Sequence, residues 1–437
     1  MKLLALLFYF FLTRVLGWTV LSFEKGTLTF SQRFFLAGPL GMGLLFLIFL
    51  WRNIFHSSFT LAGTETVLCV LLVVALISKA VFEKLSLRNI PIKQKVPFNA
   101  WEWLFLFFIF FQAGYILFEA FWRPVVLNDD WAQWAGNAKY LFYHGHIDAT
   151  YFQETNHSNY PLFIMANEVV LCKIYGAWDD FLCKAFLTIL VFDFAGFFFC
   201  IIREQSSRLA ALAATMILLA LPFYVRVGLD GTGEIPMSVT FAFFVHFMLR
   251  ALEEKGVANS FFAAFFCGLL ASIKNEGVFA AVALGLLFFV VLGIRRNFSF
   301  KTALVFGVVV AFFILPWMFL QNIEGSDSTR LRNLSIHWLW DWKSWAYLMQ
   351  DTLRQFFWPS KQTLLLGPYF FGALFFFFLK NRKDFASSFL LLALGTVTIV
   401  YAVGSYVTGW GSEYGRLLTQ LTALQFLFVT RSLAGEE

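Results

Sequence analysis

The chain has 437 residues, 59% of them hydrophobic and only 14% charged, and 60 are Phe. A water-soluble globular domain has too little core to hide that much apolar side chain, so that class is excluded. The formal net charge of +6 calls for no nucleic-acid partner, because basic residues beside membrane spans set topology.

In chain order, apolar runs of about 17 to 23 residues recur, the length a helix needs to cross a bilayer. They lack the alternation of a membrane barrel, and backbone in hydrocarbon must satisfy its own hydrogen bonds. The expected fold is all-α: a polytopic membrane protein of about 13 transmembrane helices. The spans fall near 3–21, 34–51, 64–83, 101–121, 181–202, 209–225, 236–252, 259–274, 278–294, 302–321, 365–380, 386–408 and 413–431. The opening stretch MKLLALLFYFFLTRVLGW resembles a signal peptide but has no clear small-residue cleavage site, and reads as a retained helix.

Two long polar excursions, 122–180 and 322–364, separate the spans and are expected to contain short helices. Within the first, 161–176 is apolar but short, begins at Pro161 and is interrupted by Asn167, Glu168 and Lys173. It reads as a helix in or on the outer leaflet. With that parity, the short inside connections carry Lys25, Arg33, Lys84, Arg88, Arg203, Arg208, Arg250, Lys255, Arg295, Arg296, Lys380 and Lys383. The short outside segments hold scattered single cations, the asymmetry that the positive-inside rule demands. Both long loops then lie on the extracytoplasmic face, with Asp129, Asp130, the GLDGTGE turn at 228–234, KNEG at 274–277 and WGSEYGR at 410–416.

Those polar groups are the candidate site. Asp129 and Asp130 stand in an aromatic frame of Trp131, Trp134, Tyr140, Phe142 and Tyr143, followed by Asn137 and Lys139. A carboxylate within reach of an acceptor hydroxyl can take its proton as the oxygen attacks. A neighbouring acid raises its pKa and can hold substrate or a cation. The bland alternative is that acids collect at a helix end because water is there. Lys274 either snorkels to the interface or neutralises a phosphate, and Arg416 offers a forked grip on the same group. Asp193, in mid-span, reads as a buried hydrogen-bonded acid, with proton-coupled transport as the other use of such a residue. Cys69, Cys172, Cys183, Cys200 and Cys267 show no metal-ligand spacing. Cys172 and Cys183 are the candidates for a bridge, against the alternative of small buried hydrophobes. A divalent metal is compatible with Asp129, Asp130 and His157, which form no recognised ligand motif.

DDWAQWAGNAKYLF, HSNYPLF at 157–163, GLDGTGEIPMSVTF at 228–241, ASIKNEGVFA at 271–280 and SEYGRLLTQL at 412–421 occur in an order that resembles the bacterial branch of the glycosyltransferase C superfamily. Its relatives include protein O-mannosyltransferases and the lipid A aminoarabinose transferase. The resemblance covers residues 98–437 and leaves 1–97 as an amino-terminal addition of transmembrane helices. It implies a polyprenyl-phosphate-sugar-dependent transferase, hexosyl or pentosyl, in a bacterial inner membrane with its site facing outside. The donor is then a polyprenyl-phosphate-linked sugar and the acceptor a glycan, lipid or protein hydroxyl. Asp129 aligns with the acid that opens the loop, and becomes the base; Asp130 stands where the family varies. Lys274, Arg416 and Lys139 are assigned to donor phosphate, and Trp134, His157, Tyr160, Asp230 and Glu276 to substrate. The rival class is a transporter or flippase of lipid-linked saccharide, which commonly shows internal repeats and polar broken helices at mid-membrane. No repeat is evident here, and the polar groups gather at one face.

Overall fold

The computed structural model describes residues 1–22, 24, 28–55, 97–125, 130–155, 158–221, 224, 231–254, 257–295, 298–323, 350 and 385–407. Among these residues the secondary structure is entirely helical. Seven helices are long and apolar enough to cross a membrane. The predicted spans at 64–83, 365–380 and 413–431 lie outside the described residues. The other expected spans all appear as helices, with ends shifted by a few residues.

The chain divides into two compact units: 1–158 with 162–220 and 229–232, and 159–161 with 221–228 and 233–437. The first contains α1 (Lys2–Leu21), α2 (Phe30–Ile54), α3 (Ala100–Trp122), α4 (Ala135–His144), α5 (Ala149–Glu154), α6 (Phe163–Tyr175), α7 (Phe186–Gln205) and α8 (Arg208–Ala220). The second contains α9 (Glu234–Glu254), α10 (Val257–Ala271), α11 (Asn275–Ile294), α12 (Phe300–Ile323) and α13 (Phe385–Val407).

In the first unit α1 and α2 form an antiparallel hairpin whose second arm starts with a full capping box, Thr29 and Gln32 each bonding the other's backbone. Asn99 and Glu102 start α3 in the same way. These starts share one end of the unit with several charged pairs. Arg208 grips Glu102 through both Nε and Nη2, at 2.8 and 2.7 Å, and Gln32 reaches Glu204 at 2.9 Å. At the opposite end, Lys2 pairs with Asp179 at 2.7 Å, Val125 N–H donates to Asp180 O, and Ile147 N–H donates to Asn53 Oδ1. The polar loop segments thus sit at one end and Arg33, Arg203 and Arg208 at the other.

The helix expected in or on the outer leaflet is α6, and it lies inside the unit rather than on its surface. Its residues from Phe163 to Cys172 are all buried. Tyr9 of α1 donates to Asn167, and the Phe163 ring meets Phe46 of α2 at 6.1 Å. Phe46 lies eight residues before Ile54, so α6 begins about 12 Å below the loop end of α2. Thirteen residues rise only about 20 Å, too short to cross a bilayer. The chain therefore dips in before Phe163 and climbs back along α6 to Gly176, whose φ of 92° closes the helix in the left-handed region. Asn167 interrupts the apolar pattern because its side chain is consumed inside, by Tyr9 and by the carbonyl of Phe163.

Asp193, the acid in mid-span, is held by Arg14 of α1. Nη1 donates to Oδ2 at 3.0 Å and Nη2 to Oδ1, with both side chains buried. The Phe10 and Phe34 rings lie beside the guanidinium, their centroids 4.2 and 5.0 Å from its carbon and 6.2 Å from each other. Gly38 of α2 makes room: a Cβ there would strike Asp193 Oδ2 and Arg14 Nη1. The amino-terminal hairpin is consequently packed into the first unit.

In the second unit, α9 to α12 are joined by short connections and alternate in direction. The starts of α9 and α11 therefore share an end with the finishes of α10 and α12. Arg295 lies at the other end, where it donates to the Leu252 carbonyl and stacks over Phe385 at 3.8 Å. The exposed side chains Phe279, Val282, Leu286 and Val290 form a stripe at helical spacing on α11, and Leu304, Val308, Phe312, Leu315 and Phe319 form another on α12. Apolar stripes of that length, left uncovered, suit lipid rather than water.

Candidate active site

Asp129, His157, Asp230 and Arg416 lie outside the described residues, and of Asp130 only the backbone is described. That backbone opens a π-helical turn, Asp130–Trp134, which runs directly into α4. Such turns often mark functional sites. Gly136 permits the change of winding, because a Cβ there would come within 2.5 Å of the Trp131 carbonyl.

Beyond the turn, the aromatic frame divides. Trp134 is 1% exposed and Phe142 is buried, whereas Trp131 and Tyr143 are 64% and 66% exposed. Asn137 is buried and hydrogen-bonds the Tyr151 phenol, which also contacts Met165 Sδ at 3.4 Å. Asn137 thereby ties the start of α4 to Tyr151 of α5, and Trp134 is packed inside while Trp131 lies open. Lys139 faces outward, with its amine 4.0 Å from Asp180 and both groups nearly half exposed. An ion pair that open holds its partner weakly, which leaves the Lys139 cation available to a ligand. The tyrosine at the loop's end, Tyr160, is buried in the second unit. There the neighbouring carbonyl of Asn159 accepts from Gln321 at the finish of α12.

The second unit brings together two residues that sequence spacing kept 40 apart. Lys274, the N-cap of α11, donates from Nζ to Glu234 Oε1, the first residue of α9, at 2.7 Å. The side chains are 3% and 0% exposed. Lys274 is therefore a buried, carboxylate-bound ammonium, not the snorkelling cation that its place at a span end suggested. Gly233 supports the lysine stem: a Cβ on it would fall 2.6 Å from Lys274 Cε and 3.0 Å from Cδ. Gly277 closes the α10–α11 turn, with the Leu270 carbonyl where its Cβ would stand. Glu276 lies in the first turn of α11, half-buried, where the helix dipole favours a carboxylate. Its Oε2 has no hydrogen-bond donor among the described residues.

Glu234 escaped selection in the sequence, where it was one letter of a Gly-rich turn. Its signal was an acid placed directly before a long apolar run, with a lysine at the next helix mouth on the same face. Among the described residues no cluster of His, Cys, Asp and Glu has the makings of a metal site; Asp129 and His157 fall outside them. Cys172 and Cys183 are buried free thiols.

Residues 174–319 match the family described as dolichyl-phosphate-mannose-protein mannosyltransferase. Among solved structures, the chain is similar to ArnT from Cupriavidus metallidurans bound to undecaprenyl phosphate, with a TM-score of 0.50 and 14% identity. The match covers 77% of this chain and 60% of that one, so this chain spans less than two thirds of that protein's length. The chain is thus an all-helical membrane protein whose fold is similar to that of this ArnT structure. No curated protein sequence matches the chain. The family match, 174–319, takes in α7 to α12 almost whole. It therefore encloses Glu234, Lys274 and Glu276 but not the acidic turn. With Asp193 engaged by Arg14, the mid-span acid that a transporter could have used is held inside the first unit.

Proposed function

We propose that this chain is a membrane glycosyltransferase that moves a sugar from a polyprenyl phosphate to an acceptor hydroxyl on the extracytoplasmic face. The observation that carries the reading is the mannosyltransferase-family match over 174–319. The ArnT-like fold supports it, as does the undecaprenyl phosphate bound by the similar ArnT structure. The gathering of Arg33, Arg203 and Arg208 away from the loop segments of the first unit is in keeping with an outward-facing loop.

In the proposed reaction the Asp129 carboxylate takes the proton of the acceptor hydroxyl as its oxygen attacks the anomeric carbon. The carbon–oxygen bond to phosphate breaks in the same displacement, inverting that centre, and the phosphate leaves with the electron pair. Lys274, Arg416 and Lys139 stabilise the departing charge. Asp130, Trp134, His157, Tyr160, Asp230 and Glu276 position the two substrates. The test incubates purified protein with a panel of polyprenyl-phosphate sugars and acceptor glycans, lipids and peptides. Sugar-dependent release of the lipid phosphate, with inverted anomeric configuration in the product, is expected. No release from any donor, or a product of retained configuration, would overturn the reaction.

A further inference from the structure

We propose that Glu234 is a positioning residue that holds Lys274 in reserve, and that the phosphate of a polyprenyl lipid displaces its carboxylate from the ammonium on binding. The proposal rests on the functional reading above, for the identity of the anion.

The local construction is specific. Glu234 opens α9 and Lys274 caps α11, so both groups lie at helix ends rather than at mid-span. Their 2.7 Å contact is almost fully withdrawn from solvent. The lysine stem crosses the backbone at Gly233, where any side chain would push it away. The backbone is thus shaped to lay this cation against this acid.

Energetics make the pair an unlikely device for stability alone. Withdrawing two charges from water costs about as much as their attraction returns, and well-packed apolar residues commonly do as well. A buried pair at a helix mouth offers something an apolar pair does not: a cation already desolvated and oriented, with its charge cancelled until another anion arrives. Phosphate can take the place of the carboxylate oxygen at the ammonium, with the displaced Glu234 carboxyl taking up a proton so that the local charge stays balanced. Glu234 then sets affinity by competition. It prevents Lys274 from holding lipid phosphate so tightly that the spent carrier cannot leave.

The experiment measures binding of undecaprenyl phosphate, with undecaprenol as the uncharged control, to the full-length protein in detergent micelles. Glu234→Gln retains shape and removes the competing charge. It is expected to bind undecaprenyl phosphate at least roughly tenfold more tightly, the scale of one charged hydrogen bond, with undecaprenol binding unchanged. In turnover, the same variant is expected to show a lower KM together with a lower kcat, as release of the spent carrier slows. Lys274→Gln should lose affinity for the phosphate alone. Weaker or unchanged phosphate binding by Glu234→Gln, beside a loss in Lys274→Gln, would refute the exchange while leaving the phosphate role of Lys274 intact. No change in either variant would refute both. Should Glu234→Gln fail to fold, Glu234→Asp serves instead: its shorter arm loosens the pair, and a smaller gain in phosphate affinity is expected, with a loss or no gain counting against the proposal.

Discussion

Asp193→Asn is the most informative perturbation of the scaffold. It changes one atom, yet it leaves the Arg14 guanidinium charged and buried against a neutral amide. Wild-type Asp193 accepts two guanidinium hydrogen bonds, one of 3.0 Å and one shorter, inside a box closed by Phe10, Phe34 and Gly38. Breaking a buried pair by removing one partner costs about 3–5 kcal/mol. The neighbouring rings are common to both proteins and offset none of this, so a loss of about 3–5 kcal/mol is expected. Arg14→Met should cost a similar amount, because it strands the carboxylate. Arg14→Met combined with Asp193→Leu should recover most of the loss, since an apolar pair replaces a buried ionic one at little cost. Gly38→Ala, which drives a methyl between the partners, should behave like a single mutant. The assay is SDS-induced unfolding of the purified protein in mixed micelles, followed by tryptophan fluorescence. Stability of Asp193→Asn within about 0.5 kcal/mol of wild type, the range of an ordinary surface change, would refute the pair's structural role. A double mutant as unstable as the sum of its singles would do the same.

Three further outcomes are expected. Asp129→Asn should fold and bind lipid donor but transfer sugar about 10²–10⁴-fold more slowly in single turnover, with Asp130→Asn milder; near-normal transfer by Asp129→Asn would remove it as base. Glu168, in the short non-spanning α6, has its pKa raised to about 8, first by burial, with Lys184 opposing. The folded state therefore binds a proton that the unfolded state has released. Glu168 disfavours folding increasingly as pH rises from the ordinary carboxyl range to about 8, and Glu168→Gln should flatten that decline; a denaturation series with the same pH slope in both proteins would contradict it. Cysteines introduced at Thr150 and Trp345 should react with an impermeant thiol reagent from outside, and one at Arg382 should not; opposite labelling at 150 and 345 would break the common-face assignment.

Much of the fold was legible because a membrane helix announces itself locally. The length of an apolar run and its flanking cations decide a span such as 30–54 or 275–294 with no knowledge of its neighbours. Placement between spans is a different matter. Short length with Asn167, Glu168 and Lys173 argued against a further span at 161–176, and the partners that accommodate Asn167 are a tyrosine 158 residues earlier and its own helix. The contact between Arg14 and Asp193, 179 residues apart, was likewise invisible along the chain. At the candidate site, residue type pointed to Lys274, but its charge state of affairs depended on Glu234, which only the return of the chain at α11 brings near.

The two buried ion pairs of this protein invite opposite readings, and the reason lies in where each is built. Arg14–Asp193 stands well inside α1 and α7, closed by two phenyl rings and an α-helical glycine, and both guanidinium nitrogens of the fork are used. An anion approaching from water would have to part three helices to reach it. Lys274–Glu234 stands at a helix mouth, is joined by a 2.7 Å contact and draws on a lysine, a flexible point charge rather than a fixed fork. Its surroundings, a Gly-rich turn and the half-buried Glu276, belong to the polar end of the second unit. A pair meant only to hold helices together is best made from a bidentate arginine in a closed box. A pair meant to be exchanged needs a flexible cation at a helix end, and Lys274 at the start of α11 supplies one.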